Sequence, residues 1–148
     1  MPVIIVGADS PQGNELVAAL RQDRSEVRAF ITEPAAGDGL RALGAKVAIG
    51  DVTDASHVGG AALNAFSAVL LIEAATDDRE RSFAGSIEEV LASWAEAVSE
   101  AGITRVILVA PPGLDTGALT TAAPEFVRVA PSGDVVAAVV AANEAASV

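Results

Sequence analysis

The segment that decides the fold is Val3-Ile4-Ile5-Val6-Gly7-Ala8-Asp9-Ser10-Pro11-Gln12-Gly13-Asn14-Glu15-Leu16-Val17. Its first four residues are apolar and predict a buried strand, and residues 7–13 contain two glycines and predict a tight turn. The residues that follow have the spacing of an amphipathic helix. A strand, a turn and a helix in this order are typical of a βαβ unit whose helix N-terminus can hold a pyrophosphate.

The same alternation of strand and helix continues along the chain. Short β-branched runs predict the strands, and the amphipathic segments between them predict crossover helices. The predicted strands are residues 3–6, 27–31, 47–49, 68–72, 106–109 and 126–129. The predicted helices are residues 11–21, 39–43, 56–66, 83–101 and 133–145, the last of them capped by Ser132. We therefore predict an α/β fold in one domain, residues 1–148. It is a single doubly wound parallel sheet of the Rossmann type with five or six strands and helices on both faces.

Composition narrows the functional classes. A net charge of -11 argues against nucleic acid and against an anionic membrane surface, because both attract basic proteins. The absence of cysteine excludes disulfides, thiolate metal sites and cysteine nucleophiles. No spacing of His, Asp and Glu suggests a metal site. No basic leader and no apolar run of membrane-spanning length is evident, so we expect a cytoplasmic protein.

Four ordered segments resemble the NmrA-like, NAD(P)H-binding members of the extended and atypical short-chain dehydrogenase/reductase superfamily. Residues 6–13 are similar to the family's opening strand and its T-G-A-T-G-x-x-G turn, with Ser10 in place of the middle glycine. Residues 27–31, 43–54 and 101–109 resemble the second, third and fifth strands of the family with their flanks. The resemblance covers about residues 3–113 and implies a dinucleotide-binding Rossmann domain.

A set of candidate cofactor-binding residues follows from the turn and from the resemblance. Gly7 permits the tight turn, and Gly13 permits close packing of the helix or approach of a pyrophosphate. The resemblance implies that Asp51 contacts the adenine edge. The full set is Gly7, Ala8, Asp9, Ser10, Gln12, Gly13, Glu33, Asp51, Val52, Glu73 and Ala74.

Two acidic residues bear on which cofactor this set can accept. Glu33 follows the second strand, where a carboxylate can bond a ribose 2′-OH and repel a 2′-phosphate. NAD(H) is therefore favoured over NADP(H). Asp9 opposes an anionic pyrophosphate, and in one alternative it caps the helix and leaves a turn that binds no cofactor.

The catalytic elements that the resemblance implies are missing. The family's proton donor is the Tyr of a Tyr-x-x-x-Lys pair, whereas this chain has no Tyr and its only Lys is Lys46. Ala110-Pro111-Pro112 replaces the Ser or Thr expected after the fifth strand. Residues 131–136 resemble a segment that lies well beyond the catalytic helix in relatives, which indicates a deletion. We therefore predict no catalytic residue and no Tyr-dependent reductase activity.

Each of the remaining candidate residues has an alternative, purely structural role. His57, the only His, is either a general base or a residue at a helix start. Glu73 forms an acidic mouth with Asp77 and Asp78, or all three lie in a solvated loop. The apolar stripe of the helix at 83–101, which includes Trp94, belongs to the core or to a dimer interface.

Three functional hypotheses remain open. In the first, the protein binds a dinucleotide or other nucleotide without reductase catalysis and acts as a sensor or regulator. In the second, it is a small atypical NAD(H) oxidoreductase that takes its proton from Glu73, His57 or water. In the third, it is a cofactor-free scaffold that acts through protein partners. The family's four-helix dimer interface further implies a homodimer through the helix at 83–101.

Overall fold

A computed structural model of the chain describes residues 1–22, 25–76 and 86–147. It contains one six-stranded sheet in the order β3-β2-β1-β4-β5-β6, and every neighbouring pair is parallel. The strands are β1 (Val3–Val6), β2 (Val27–Ile31), β3 (Lys46–Ile49), β4 (Ser67–Leu71), β5 (Arg105–Val109) and β6 (Glu125–Val129). This order confirms the predicted doubly wound sheet of the Rossmann type.

Helices cover both faces of the sheet, as predicted. They are α1 (Pro11–Gln22), α2 (Gly37–Ala42), α3 (Ala55–Ala62), α4 (Glu73–Thr76), α5 (Ile87–Ala101) and α6 (Val135–Glu144), with 3-10 segments at Pro34–Ala36 and Gly117–Thr121. Buried residues of α1, α2 and α6 form one hydrophobic core, and those of α3 and α5 form the other. Strands buried on both faces read as continuous apolar runs, which explains why the central strands could be predicted closely. No helix in the described ranges is long and apolar enough to cross a membrane.

Two predicted helix boundaries and one predicted cap differ from the structure, each for a local reason. Helix α3 ends at Ala62 rather than at 66, because Leu63 leaves the helical conformation and Asn64 has a φ of 66°. Helix α5 begins at Ile87, because Ser86 is extended and its hydroxyl accepts the Glu89 N–H at 3.2 Å. The predicted residues 83–85 lie outside the described residues. Asp134, not Ser132, caps α6, and its carboxylate accepts the Ala137 N–H at 3.0 Å.

The stripe on α5 belongs to the core. Trp94 is fully buried and its indole N–H donates to the Val52 carbonyl at 2.8 Å. Of the two predicted alternatives, the structure supports burial within the protomer. The α5 residues left exposed are Glu88, Glu89, Ala92, Glu96, Ser99 and Glu100.

The connection from β5 to β6 is short. Residues 110–124 contain only the 3-10 segment, so no long helix covers this side of β6. Arg105, the first residue of β5, is buried and its guanidinium bonds Glu125 at 2.8 Å. The same guanidinium donates to the carbonyls of Ala142, Asn143 and Ala145 at 2.7–3.0 Å, so the end of α6 is tied to the sheet.

Candidate functional site

The carboxyl ends of the strands form the candidate site. The chain crosses from β1 to β2 in one direction and reaches β4 on the other side of β1, which makes the end of β1 the topological switch point. Ligands of open α/β sheets bind at such a point. We call residues 7–13, 32–33 and 50–53 the β1–β3 edge, and residues 72–76, 110–116 and 130–134 the β4–β6 edge.

Both glycines of the first turn are required by close packing. Gly7 has a φ of +90°, and a Cβ on it would lie 2.6 Å from the Cβ of Ala74. A Cβ on Gly13 would lie 2.4 Å from the carbonyl oxygen of Ala8. Ala8 and Ala74 are buried, so neither side chain faces solvent. The turn therefore has the tight geometry that the sequence predicts, and cofactor contact at these four residues stays a prediction.

Ser10, which replaces the middle glycine, caps α1. Its hydroxyl accepts the Gly13 N–H at 3.0 Å and donates to the Gly7 carbonyl at 3.3 Å. Pro11 has no amide hydrogen. Of the first-turn residues Pro11, Gln12 and Gly13, Gln12 thus has an N–H that is not used by the cap. Fewer N–H groups are available to a phosphate here than at a helix N-terminus that begins with glycine.

Asp9 does not cap α1, so the alternative that it does is wrong. Its Oδ2 instead accepts the backbone N–H groups of Thr32 at 3.1 Å and of Glu33 at 3.0 Å. The carboxylate therefore lies toward the end of β2, because Ser10 already provides the cap. Thr32 is the site residue that sequence reasoning missed, since no spacing rule connects positions 9 and 32.

Glu33 stands at the end of β2, where the sequence places it. Its side chain is exposed, and Oε1 accepts the Ala35 N–H at 3.2 Å, which caps the 3-10 segment Pro34–Ala36. Glu33 and the Asp9 carboxylate bring two acidic side chains to the same strand end. This local charge is unfavourable for a further phosphate.

The segment after β3 is held by its own side chains. Asp51 Oδ1 accepts the N–H of Thr53 at 2.8 Å and its hydroxyl at 2.6 Å. Val52 is buried, with its carbonyl bonded to Trp94. The prediction that Val52 contributes to the cofactor site is therefore limited to its backbone.

His57 occupies the first turn of α3, in agreement with the alternative that it lies at a helix start. Its Nδ1 accepts the Asp51 N–H at 3.3 Å, and half of its side chain is exposed. Asp54 caps the helix, and the hydrogen bond from the Ser56 side chain holds the pKa of Asp54 below its ordinary value. The Asp54 carboxylate lies 3.5 Å from His57 Nε2. The pair thus completes a helix start, together with the Ser56 hydroxyl, which donates to Asp54 Oδ1 at 2.6 Å.

The β4–β6 edge has a small cavity of about 70 Å³ beside the switch point. Gln12, Leu71, Ile72, Glu73, Val109 and Pro131 line it. Glu73, the first residue of α4, is the titratable side chain among them. The volume is far below the roughly 300–1,000 Å³ of typical ligand sites. A larger open groove between α1 and α6 is lined by none of the predicted site residues.

The family's catalytic groups have no counterparts on the β4–β6 edge. The loop after β5 is held by Arg128, whose guanidinium donates to the carbonyls of Pro111 at 3.1 Å and Pro112 at 2.8 Å. Lys46 begins β3, at the opposite end of the sheet, and pairs with Glu26 at 3.5 Å. Asp77 and Asp78 lie outside the described residues. Within the described ranges, no group of three or more His, Asp and Glu residues is placed to hold a metal ion.

Residues 7–147 match the family described as NAD(P)H-binding. The chain belongs to this NAD(P)H-binding family. The family match and the shared fold confirm the predicted resemblance to NAD(P)H-binding proteins of the Rossmann type. No curated protein matches the sequence.

Solved structures of reductases share the fold. A triphenylmethane reductase from Citrobacter sp. superimposes with a TM-score of 0.70 at 13% identity, over 86% of this chain and 48% of that one. An NADPH-dependent quinone oxidoreductase from Escherichia coli gives 0.60 at 20% identity, over 74% and 36%. An anaerobillin reductase from Escherichia coli O157:H7 gives 0.59 at 23% identity, over 82% and 59%. At such low identity the likeness shows the fold alone. The present chain spans between 36% and 59% of the length of these three proteins.

Proposed function

We propose that this NAD(P)H-binding-family protein holds a dinucleotide along the β1–β3 edge and performs no Tyr-dependent reduction, so that it acts as a sensor or regulator. The observation that carries the proposal is the turn at the switch point. There the backbone of Gly13 lies so close to Ala8 that only glycine fits, which is the packing that a dinucleotide turn requires. A glycine kept merely as a loop residue would not need this contact.

The residues of this edge fit the parts of a dinucleotide. The Gln12 amide at the N-terminus of α1 suits the pyrophosphate, since the helix dipole favours negative charge there. Glu33 suits a ribose hydroxyl, and Asp51 lies at the end of β3 in the position that the resemblance assigns to the adenine. A bound NAD(H) would supply a hydride donor or acceptor.

The absence of Tyr, the family's proton donor, supports the non-catalytic part of the proposal. Reduction of a carbonyl needs a positioned acid as well as a hydride. The chain has no Tyr, and its Lys46 lies at the other end of the sheet. With Pro111 and Pro112 after β5, no hydroxyl stands in the family's position at the start of that loop.

One observation favours an atypical oxidoreductase as the second candidate. Glu73 lines the cavity between the ends of β4 and β5, where it can exchange a proton with a substrate. This candidate predicts oxidation of NADH by small carbonyl compounds at a rate that Glu73→Gln abolishes. A rate that is unchanged in Glu73→Gln, or no turnover at all, rejects a role for this carboxylate.

Calorimetric titration tests the main proposal. NADH, NAD, NADPH and ADP-ribose are titrated into the wild-type protein, Glu33→Ala and Glu144→Ala. Glu144 is an exposed glutamate at the end of α6, which Arg105 ties to the opposite end of the sheet, and it serves as the matched control. We expect saturable NADH binding that Glu33→Ala weakens and Glu144→Ala leaves unchanged. If no nucleotide binds, the third hypothesis, a cofactor-free scaffold with protein partners, replaces this one.

The preference for NAD(H) is part of the proposal. Two of the structural relatives are described in complexes with NADPH or NADP(H), so the preference rests on this chain's own residues. Glu33 is exposed at the end of β2 and can repel a 2′-phosphate. We expect NADPH to bind more weakly than NADH in the same titration.

We also propose a cytoplasmic homodimer that pairs through α5. The exposed face of this helix carries Glu88, Glu89, Glu96 and Glu100, so a symmetric contact brings like charges together. Salt screens such repulsion, and the dimer should therefore strengthen as ionic strength rises. A mass measurement in low and high salt checks this, and a monomer at both salt concentrations contradicts it.

A further inference from the structure

We infer that the carboxylate of Asp9 occupies the position that the 2′-phosphate of NADP(H) would need, and that it thereby makes the site selective for NAD(H). The inference rests on the proposed dinucleotide binding and concerns a residue in the turn after β1. It differs from the expected role of Glu33, because it assigns selectivity to an anion built into the protein.

The geometry is that of an occupied anion site. The consecutive N–H groups of Thr32 and Glu33 point to a single oxygen, Asp9 Oδ2, at 3.1 and 3.0 Å. Successive backbone N–H groups that converge in this way form a small concavity that binds anions. The end of β2 is also where the adenosine ribose lies in Rossmann domains. An incoming phosphate would have to displace the Asp9 carboxylate from these two donors.

Among the residues that the structure describes, the basic side chains nearest along the chain have other partners and do not compensate a 2′-phosphate. Arg28 of β2 bonds Glu26 and the carbonyls of Ala61 and Leu63. Arg41, the next basic residue along the chain, is exposed and pairs with Asp38 at 3.2 Å. A phosphate monoester of about −1.5 to −2 charge would therefore meet carboxylates first. A ribose 2′-OH, in contrast, can donate a hydrogen bond to the exposed Glu33 carboxylate.

Asp9 and Glu33 make separable contributions in this arrangement. The Glu33 side chain lies outside the concavity and caps the 3-10 segment with Oε1. Its removal leaves the Thr32 and Glu33 N–H groups bonded to Asp9. Glu33→Ala alone should therefore not admit NADPH, whereas removal of the Asp9 carboxylate should expose both donors.

The test compares Asp9→Ala, Asp9→Asn and Glu33→Ala with the wild-type protein. Calorimetry with NADH and NADPH gives the ratio of the two affinities, and thermal unfolding reports whether each variant is folded. We expect Asp9→Ala to shift the ratio toward NADPH by about tenfold or more. Asp9→Asn keeps an acceptor without the charge and should shift it less, and Glu33→Ala should not reverse the preference. An unchanged ratio in both folded Asp9 variants, or a wild-type preference for NADPH, overturns the inference.

A second measurement does not depend on dinucleotide binding. Inorganic phosphate is titrated into the wild-type protein and into Asp9→Ala, and the amide resonances of Thr32 and Glu33 are followed by NMR. We expect saturable shifts in folded Asp9→Ala and none in the wild-type protein. Shifts in Asp9→Ala together with no dinucleotide binding by any protein would uphold the occupied site and reject the proposed function. No shifts in any protein would reject the occupied site itself.

Discussion

The β1–β3 edge and the β4–β6 edge belong to one sheet and differ in what they retain. On the first edge, short-range backbone geometry is intact: Gly7 and Gly13 permit the close turn, and Asp9 ties it to the end of β2. On the second edge, the loop after β5 contains Pro111 and Pro112, whose carbonyls accept hydrogen bonds from Arg128. A short 3-10 segment precedes β6. The first edge therefore has the close turn packing of a dinucleotide-binding fold, whereas the second has prolines where the resemblance implies a Ser or Thr.

The turn after β1 and the loop after β5 lie on different strands, so each can change without the other. The first edge depends on a few glycines and backbone contacts that the sheet itself positions. The resemblance implies that reductase chemistry depends on a Tyr-x-x-x-Lys pair, and that the segment carrying it is deleted from this chain. The connection from β5 to β6 can shorten without disturbing the parallel sheet, because β6 still pairs with β5.

The largest expected effect is on stability and concerns the strands β4, β5 and β6. Arg105→Leu removes a buried guanidinium and leaves Glu125 and the end of α6 without this partner. We expect a loss of about 3–5 kcal/mol in the free energy of unfolding. Arg28→Leu is the matched control, since Arg28 also bonds a glutamate and two carbonyls but is 21% exposed. Its loss should be about 1 kcal/mol.

Denaturant unfolding measures both arginine variants, and titration with NADH measures their binding. If the two edges are separable, folded Arg105→Leu retains the NADH affinity of the wild-type protein. A large loss of affinity in a folded Arg105→Leu protein would show that the two edges are coupled.

The second effect tests the packing of the turn. Gly13→Ala places a Cβ against the Ala8 carbonyl, and we expect a loss of about 1–3 kcal/mol in stability together with loss of cofactor binding. Gly60→Ala is the control, because Gly60 lies in α3 where an added Cβ would have no neighbouring atom within 4 Å. That change should stabilise the protein by about 0.5–1 kcal/mol. Equal effects from the two substitutions would contradict the assigned packing.

The smallest expected effect on stability comes from replacing Ser10, the cap of α1. Ser10→Gly frees the Gly13 N–H and should raise dinucleotide affinity several-fold, at a cost of a few tenths of a kcal/mol. Ser86→Gly makes the same change at the cap of α5, away from the turn. It should cost the same stability and leave the affinity unchanged. Should Ser10→Gly weaken binding instead, Ser10 would itself be a ligand of the cofactor.

Much of the fold was predictable because its signals are local. The central strands are continuous apolar runs, and α5 ends at Ala101, the predicted last residue, because Gly102 follows it with a φ of 72°. The helix ends that the sequence places wrongly depend on competing caps: Asp134 and Ser132 are both good capping residues, and only the geometry of the loop chooses between them. Similarly, the stripe on α5 is apolar whether it meets the core or a partner.

The sequence by itself determined the alternation of strands and helices, the need for glycine in the first turn, and the absence of a Tyr-dependent catalytic pair. These follow from residue type and short spacing. Only the tertiary structure decided that Asp9 bonds the end of β2 and that Trp94 bonds Val52, contacts across 23 and 42 residues of chain. Such contacts depend on which strands become neighbours and how deeply each helix packs, and no local pattern records either.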